Sequence, residues 1–190
     1  MSASSLNRCS GQLGLGLILF ALWGCATPGA RVPMNEMAYT NPVYRWSVSY
    51  PGAWKVNAAN PRSVTFQGAA PAGILDIRVL QGTAPVGILG IHALPDAESK
   101  SLDDAVNFAL RAYPPPRYVT VSRRSMALPN GFSAIEIVHH IGSERVGKSR
   151  KVITVAKGRG FMIDAETYLD WWDTAEPYFN RIIDSFTVQD

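Results

Sequence analysis

Hydrophobic and polar positions alternate over residues 44–50 (YRWSVSY), with Tyr44, Trp46, Val48 and Tyr50 on one parity and Arg45, Ser47 and Ser49 on the other. A period of two sends successive side chains to opposite faces, so the segment is predicted to be a half-buried strand. Pro51-Gly52 closes it with turn chemistry, and residues 54–56 resume. Residues 63–67 and 74–80 read as two more short strands, and 86–91, inside a Gly- and Pro-punctuated stretch, as an edge. The pattern then changes. Leu102, Ala105, Val106, Ala109 and Leu110 form one apolar helical stripe behind Ser101, with Asp104 at the reciprocal capping position and Pro114-Pro115-Pro116 as the stop. Strands return at residues 118–127, 132–141, 150–156 and 160–165, the first two joined through Pro129-Asn130-Gly131. A last helix is predicted to start on Asp173, with Glu176 reciprocal to it and Pro177 in the tolerant first turn; Tyr178, Phe179, Ile182, Ile183 and Phe186 are its buried side. Short hairpin links and segregated helices give an α+β class: a central, mainly antiparallel sheet flanked by helices.

Ahead of this domain lies a different pattern. Residues 1–8 are polar with Arg8 as their charge, and residues 13–23 (LGLGLILFALW) are apolar. That run falls short of the roughly 20 residues a membrane-spanning helix needs, and a charged start before a short apolar centre describes an export signal. It ends on Leu22-Trp23-Gly24-Cys25, which resembles the bacterial lipobox, although Trp23 stands where that pattern has a small or branched side chain. The resemblance implies cleavage after residue 24 and diacylation of Cys25. Two acyl chains, at about 0.8 kcal/mol per buried CH₂, anchor a protein stably. Ala26 follows in place of Asp, which implies the outer membrane if the cell is Gram-negative. The organisation expected is a lipoprotein signal peptide (1–24), a Pro-containing tether (25–42) and the α+β domain (43–190).

The domain's element order, with Tyr50-Pro51-Gly52-Ala53-Trp54 early and Ile182-Ile183-Asp184-Ser185-Phe186 closing the last helix, resembles the PsbP-like superfamily. The resemblance implies an α/β/α sandwich, and binding or assembly in place of catalysis. It transfers no catalytic residue, because Tyr50, Trp54 and Phe186 are read as core aromatics.

Composition narrows the chemistry. Cys9 and Cys25 are the two cysteines, so the domain has neither a thiolate metal site nor a disulfide framework. A formal charge of +3 is too mild for a nucleic-acid binder. No nucleophile elbow or P-loop occurs, and no cofactor is implied. His139 and His140 are adjacent on a strand and so face opposite ways; a small hydrolase or metal-dependent enzyme using one of them is the alternative reading, and no metal site is assigned. Asp164 and Glu166, two apart, are expected to share a strand face. The strongest positive signal is a basic stretch, Arg145, Lys148, Arg150 and Lys151, followed by Trp171-Trp172. These six are the candidate surface for a membrane or an envelope protein partner.

Overall fold

The computed structural model describes residues 35–69, 85–94, 101–142 and 146–190. Cys25, Arg145 and the predicted strand 74–80 lie outside them. The alternating segment forms strand β2, Trp46–Pro51, with Trp46, Val48 and Tyr50 buried. It pairs on one side with β1, Glu36–Asn41, from Glu36↔Pro51 to Asn41↔Trp46, and on the other with β10, Thr187–Val188. The stretch read as tether therefore ends sooner than expected. Residues 36–41 carry little apolar period of their own, but β2 offers them a ladder and a buried face to extend.

Seven strands make the main sheet: β3 (Lys55–Asn60), β4 (Ser63–Ala69), β5 (Pro85–Leu94), β6 (Tyr118–Ala127), β7 (Ser133–Ile141), β8 (Gly147–Ala156) and β9 (Arg159–Tyr168). Their order is β3-β4-β5-β9-β8-β7-β6, and every neighbouring pair is antiparallel. The mainly antiparallel sheet expected from the hairpins is the one that forms. Residues 86–91 are not an edge: β5 lies between β4 and β9. Its glycines disguise a central strand and serve close packing. A Cβ on Gly87 would come within 2.5 Å of the Phe179 ring, and one on Gly90 within 2.6 Å of His92 Nε2. The β8–β9 hairpin turns through Lys157 and Gly158, both left-handed (φ 53° and 71°), the combination a two-residue primed turn requires.

Helix α1, Leu102–Leu110, starts as its capping box predicts, with Ser101 Oγ accepting from the Asp104 amide and the Asp104 carboxylate accepting from the Ser101 amide. The last helix, α2 (Trp172–Ser185), begins one residue ahead of Asp173, after a 3-10 turn over Leu169–Trp171. That early start puts Pro177 beyond the first turn, inside the helix. Alternation along the strands sorts the interior into two clusters. Val64, Phe66, Leu89, Ile91, Phe161 and Ile163 face α2 and the small sheet, whereas Ile135, Ile137, Ile153 and Met162 face α1. Tyr50, Trp54 and Phe186 are buried in the first cluster. Trp54 fills the space over Gly68, where a Cβ would approach the indole to 2.5 Å.

Candidate functional site

The face of the sheet under α1 carries polar side chains where the opposite face carries aromatics. Because Ala156 pairs with Arg159 across the turn, the register places Lys151 opposite Asp164 and Ser149 opposite Glu166. His139 pairs with Ser149 on the other side of β8. These five side chains share one face with Ile135, Ile153 and Met162, which α1 seals.

At the centre, the Lys151 ammonium, fully buried, donates to Asp164 Oδ1 (2.6 Å) and to Ser149 Oγ (2.7 Å) and lies 3.5 Å from Glu166 Oε1. Ser149 Oγ donates to the same Asp164 oxygen at 3.0 Å, and the Tyr113 hydroxyl donates to Oδ2 at 2.7 Å. The Tyr113 ring roofs the site, its centroid 3.5 Å from the ammonium. A buried ammonium persists only when its charge is matched and its donors are used. Here a carboxylate, a hydroxyl and an aromatic face do both.

Burial raises the Tyr113 hydroxyl well above the ordinary phenol range, and the charge of Asp164 raises it further. Burial also lowers His139, with Lys151 acting in the same direction. The His139 Nδ1 atom finds no hydrogen-bond partner among the described residues. Glu166 is pushed upward, first by burial and then by Asp164, so the folded chain holds that proton more tightly than the unfolded chain. Such a contribution is stabilising below the unfolded carboxylate range and is lost as pH rises through the folded value. Glu166→Gln is therefore expected to raise the thermal midpoint at pH 7. The difference from the parent should vanish in acid, where Glu166 is protonated anyway. Calorimetric scans at both pH values decide it, and a lower midpoint at pH 7 would show that the Lys151 contact outweighs burial.

Beside this cluster lies an open groove of about 480 Å³ between the C-terminal end of α1 and the β3–β4 turn. Arg62, Ser63 and His92 line one side, Phe108, Arg111 and Tyr113 the other, with Met162 and Leu94 beneath. His92 Nδ1 is 3.0 Å from Ser63 Oγ, and burial keeps that imidazole below its ordinary value, although Asp164 opposes this. Tyr113 is thus shared: its ring belongs to the groove and its hydroxyl to the buried cluster.

No protein-family model matches the chain, and no curated protein does. Solved structures do. A cyanobacterial PsbP from Synechocystis superposes with a TM-score of 0.55 at 17% identity, over 86% of this chain and 98% of that one. The domain has the PsbP-like fold. A protein of unknown function from Pseudomonas aeruginosa (TM-score 0.53, 12% identity) shares it over 82% of this chain and 98% of its own. A Bacteroides thetaiotaomicron protein (0.52, 15%) does so over 83% of this chain and half of its own.

In this PsbP-like domain the five candidate surface residues that are described do not form one surface. Lys151 belongs to the buried cluster under α1. Lys148 and Arg150, of opposite parity, turn to the α2 side. There Arg150 Nε sits 2.6 Å from Glu136 Oε2 and its guanidinium also reaches Asn180, while Arg124 holds the other Glu136 oxygen at 2.6 Å. Lys148 lies over the Trp172 ring at 4.1 Å from its centroid. Trp172 itself is buried, and Trp171 is half-buried against the same core. The two are separated because a helix begins between them and turns Trp172 inward. Asp164 and Glu166 do share a face, as their spacing predicts, and both turn toward Lys151. His139 is buried beside Tyr118, ring centroids 6.0 Å apart, and His140 is half-buried. Among the described residues no three His, Cys, Asp or Glu side chains are grouped to hold a metal, and no helix is long and apolar enough to cross a membrane.

The sequence held one unused signal for the buried pair. A two-residue turn at Lys157-Gly158 fixes which positions face each other, and counting back from it puts Lys151 against Asp164. The Tyr113 contact had no such signal, since it depends on how α1 lies across the sheet.

Proposed function

We propose that the chain is a lipid-anchored envelope protein, tethered through Cys25, whose PsbP-like α/β/α domain binds a ligand or an envelope partner and carries out no reaction. If the cell is Gram-negative, the place is the periplasmic face of the outer membrane. The observation that carries the non-catalytic part is the state of the reactive groups. The Lys151 ammonium is fully buried and its donors are engaged by Asp164 and Ser149, and His139 is only 2% exposed. A general acid, base or nucleophile has to reach a substrate atom within hydrogen-bond distance, and neither of these groups is open to one. What the domain offers to solvent beside them is a concave groove, the usual form of a binding site.

The anchor is tested by fractionation. Cys25→Ser is expected to move nearly all of the protein from the membrane pellet to the soluble fraction, and globomycin should accumulate the longer precursor of the parent chain. A serine variant that stays in the pellet would remove Cys25 as the anchor. The binding reading would be overturned by turnover of a substrate that is abolished in His140→Ala or His139→Ala with the thermal midpoint unchanged.

A further inference from the structure

Exposed apolar side chains gather toward one end of the main sheet, and the strand register shows which end. Lys55, Gln67, Ile88 and Glu166 form one row across β3, β4, β5 and β9. Beyond that row, on the side away from the β8–β9 turn, β9 runs out through Tyr168 to Leu169, whose amide donates to the Val146 carbonyl at 2.9 Å. Tyr168 is 55% exposed, Val146 53% and Leu169 42%, and Ile88 is exposed in the row itself. The opposite end is polar. There Arg45, Lys157 and Arg159 hold Gln189 and Asp190, and among the described residues Val43 is the one large apolar side chain exposed.

The chain enters the domain from the apolar side. Strand β2 starts next to the β8–β9 turn, where the Tyr44 carbonyl accepts from Arg159 at 2.9 Å, and runs away from it to Pro51. Its antiparallel partner β1 therefore begins toward the Tyr168 end, with Glu36 opposite Pro51 and the Asn35 carbonyl accepting from the Gly52 amide at 2.7 Å. Ten residues lead from Cys25 to Asn35, at most about 35 Å when fully extended. A lipid on Cys25 would thus hold the domain from the end that carries the exposed apolar side chains.

We propose that this end of the domain docks on the lipid bilayer, with Tyr168, Leu169 and Val146 in its interfacial layer; the proposal rests on Cys25 as the anchor. A tyrosine suits that layer because its ring is apolar and its hydroxyl stays wet. Leu169 and Val146 add apolar area, with which interfacial binding scales. Three side chains would hold a free protein weakly, but a tether makes the contact intramolecular, at an effective concentration in the millimolar range. Asp170 and Asp173 follow in the chain and are exposed, so the contact is apolar in origin and needs no anionic lipid.

For the test, the mature chain is coupled through Cys25, its only cysteine, to a maleimide lipid. The lipid sits in phosphatidylcholine nanodiscs that also hold a gadolinium-chelate lipid, and amide signals are followed. Broadening is expected to be strongest at Val146, Tyr168 and Leu169, weaker at Glu36 and weakest at Lys157 and Arg159. The tether by itself would give Glu36 the strongest. Tyr168→Ser combined with Leu169→Ser should lower the docked fraction about tenfold, the effect of withdrawing a large apolar side chain from lipid. Both side chains are exposed, so the thermal midpoint of this variant should match the parent's. Strongest broadening at Glu36 or Lys157, a double variant that broadens like the parent, or docking that requires phosphatidylglycerol overturns the proposal. The maleimide lipid supplies the attachment, so each of these failures leaves lipidation of Cys25 to the fractionation test.

Discussion

Lys151→Ala is expected to cost about 3–5 kcal/mol of unfolding free energy, the cost of removing one partner from a buried ion pair. The Lys151 side chain is fully buried and that of Asp164 is 8% exposed, so the carboxylate left behind has no water to turn to. Deleting the lysine also strips Tyr113 of the cation beneath its ring and leaves Ser149 Oγ without its ammonium donor. Equilibrium urea unfolding measures the loss directly. A second variant separates the pair from its packing. Lys151→Met combined with Asp164→Leu removes both charges at similar volume and should recover most of the stability, since apolar replacements of buried pairs are often neutral or better. A loss below about 1 kcal/mol for Lys151→Ala would place this pair with solvated surface bridges.

The next largest effect is expected at Trp46. Its ring is fully buried, 5.3 Å from Tyr39 and 6.3 Å from Phe186 between centroids, and so joins β1, β2 and the end of α2. Trp46→Ala should cost about 3–5 kcal/mol, the usual range for emptying a large aromatic site. The cavity would open under the small sheet, so hydrogen exchange should speed up first at Thr187 and Val188, which pair with Ser47 and Trp46. Uniform loss of protection across all strands would instead make the small sheet inseparable from the large one.

Local chemistry made much of this fold readable in advance. The Ser101–Asp104 capping box set the start of α1, and the Pro129-Asn130-Gly131 turn between residues 118–127 and 132–141 set two strands to within a residue. What escaped was decided by distant partners. Residues 36–41 are a strand because β2 lies beside them. Residues 86–91 are central because β4 and β9 pair with them on either side, and Gly87 and Gly90 leave the room that Phe179 and His92 occupy. The candidate site shows the same division. Parity alone separates Lys151 from Lys148 and Arg150, and the paired spacing of Asp164 and Glu166 was visible. Among the described candidates, Lys151 and Trp172 leave the surface because charge and a polar neighbour do not by themselves mean exposure. A lysine between Arg150 and Val152 is ordinary on an edge strand, but β8 is flanked by β7 and β9 and roofed by α1 and Tyr113.

Strand β2 takes one neighbour from the early part of the domain and the other from its last residues, β1 and β10, and Phe186 completes the core between them. During synthesis the early strands therefore emerge long before the segment that closes their interior. Contacts of such long sequence separation form late because the loop they close is large. The aromatic interior around Trp46 therefore stays incomplete until the final turn of α2 has been synthesised.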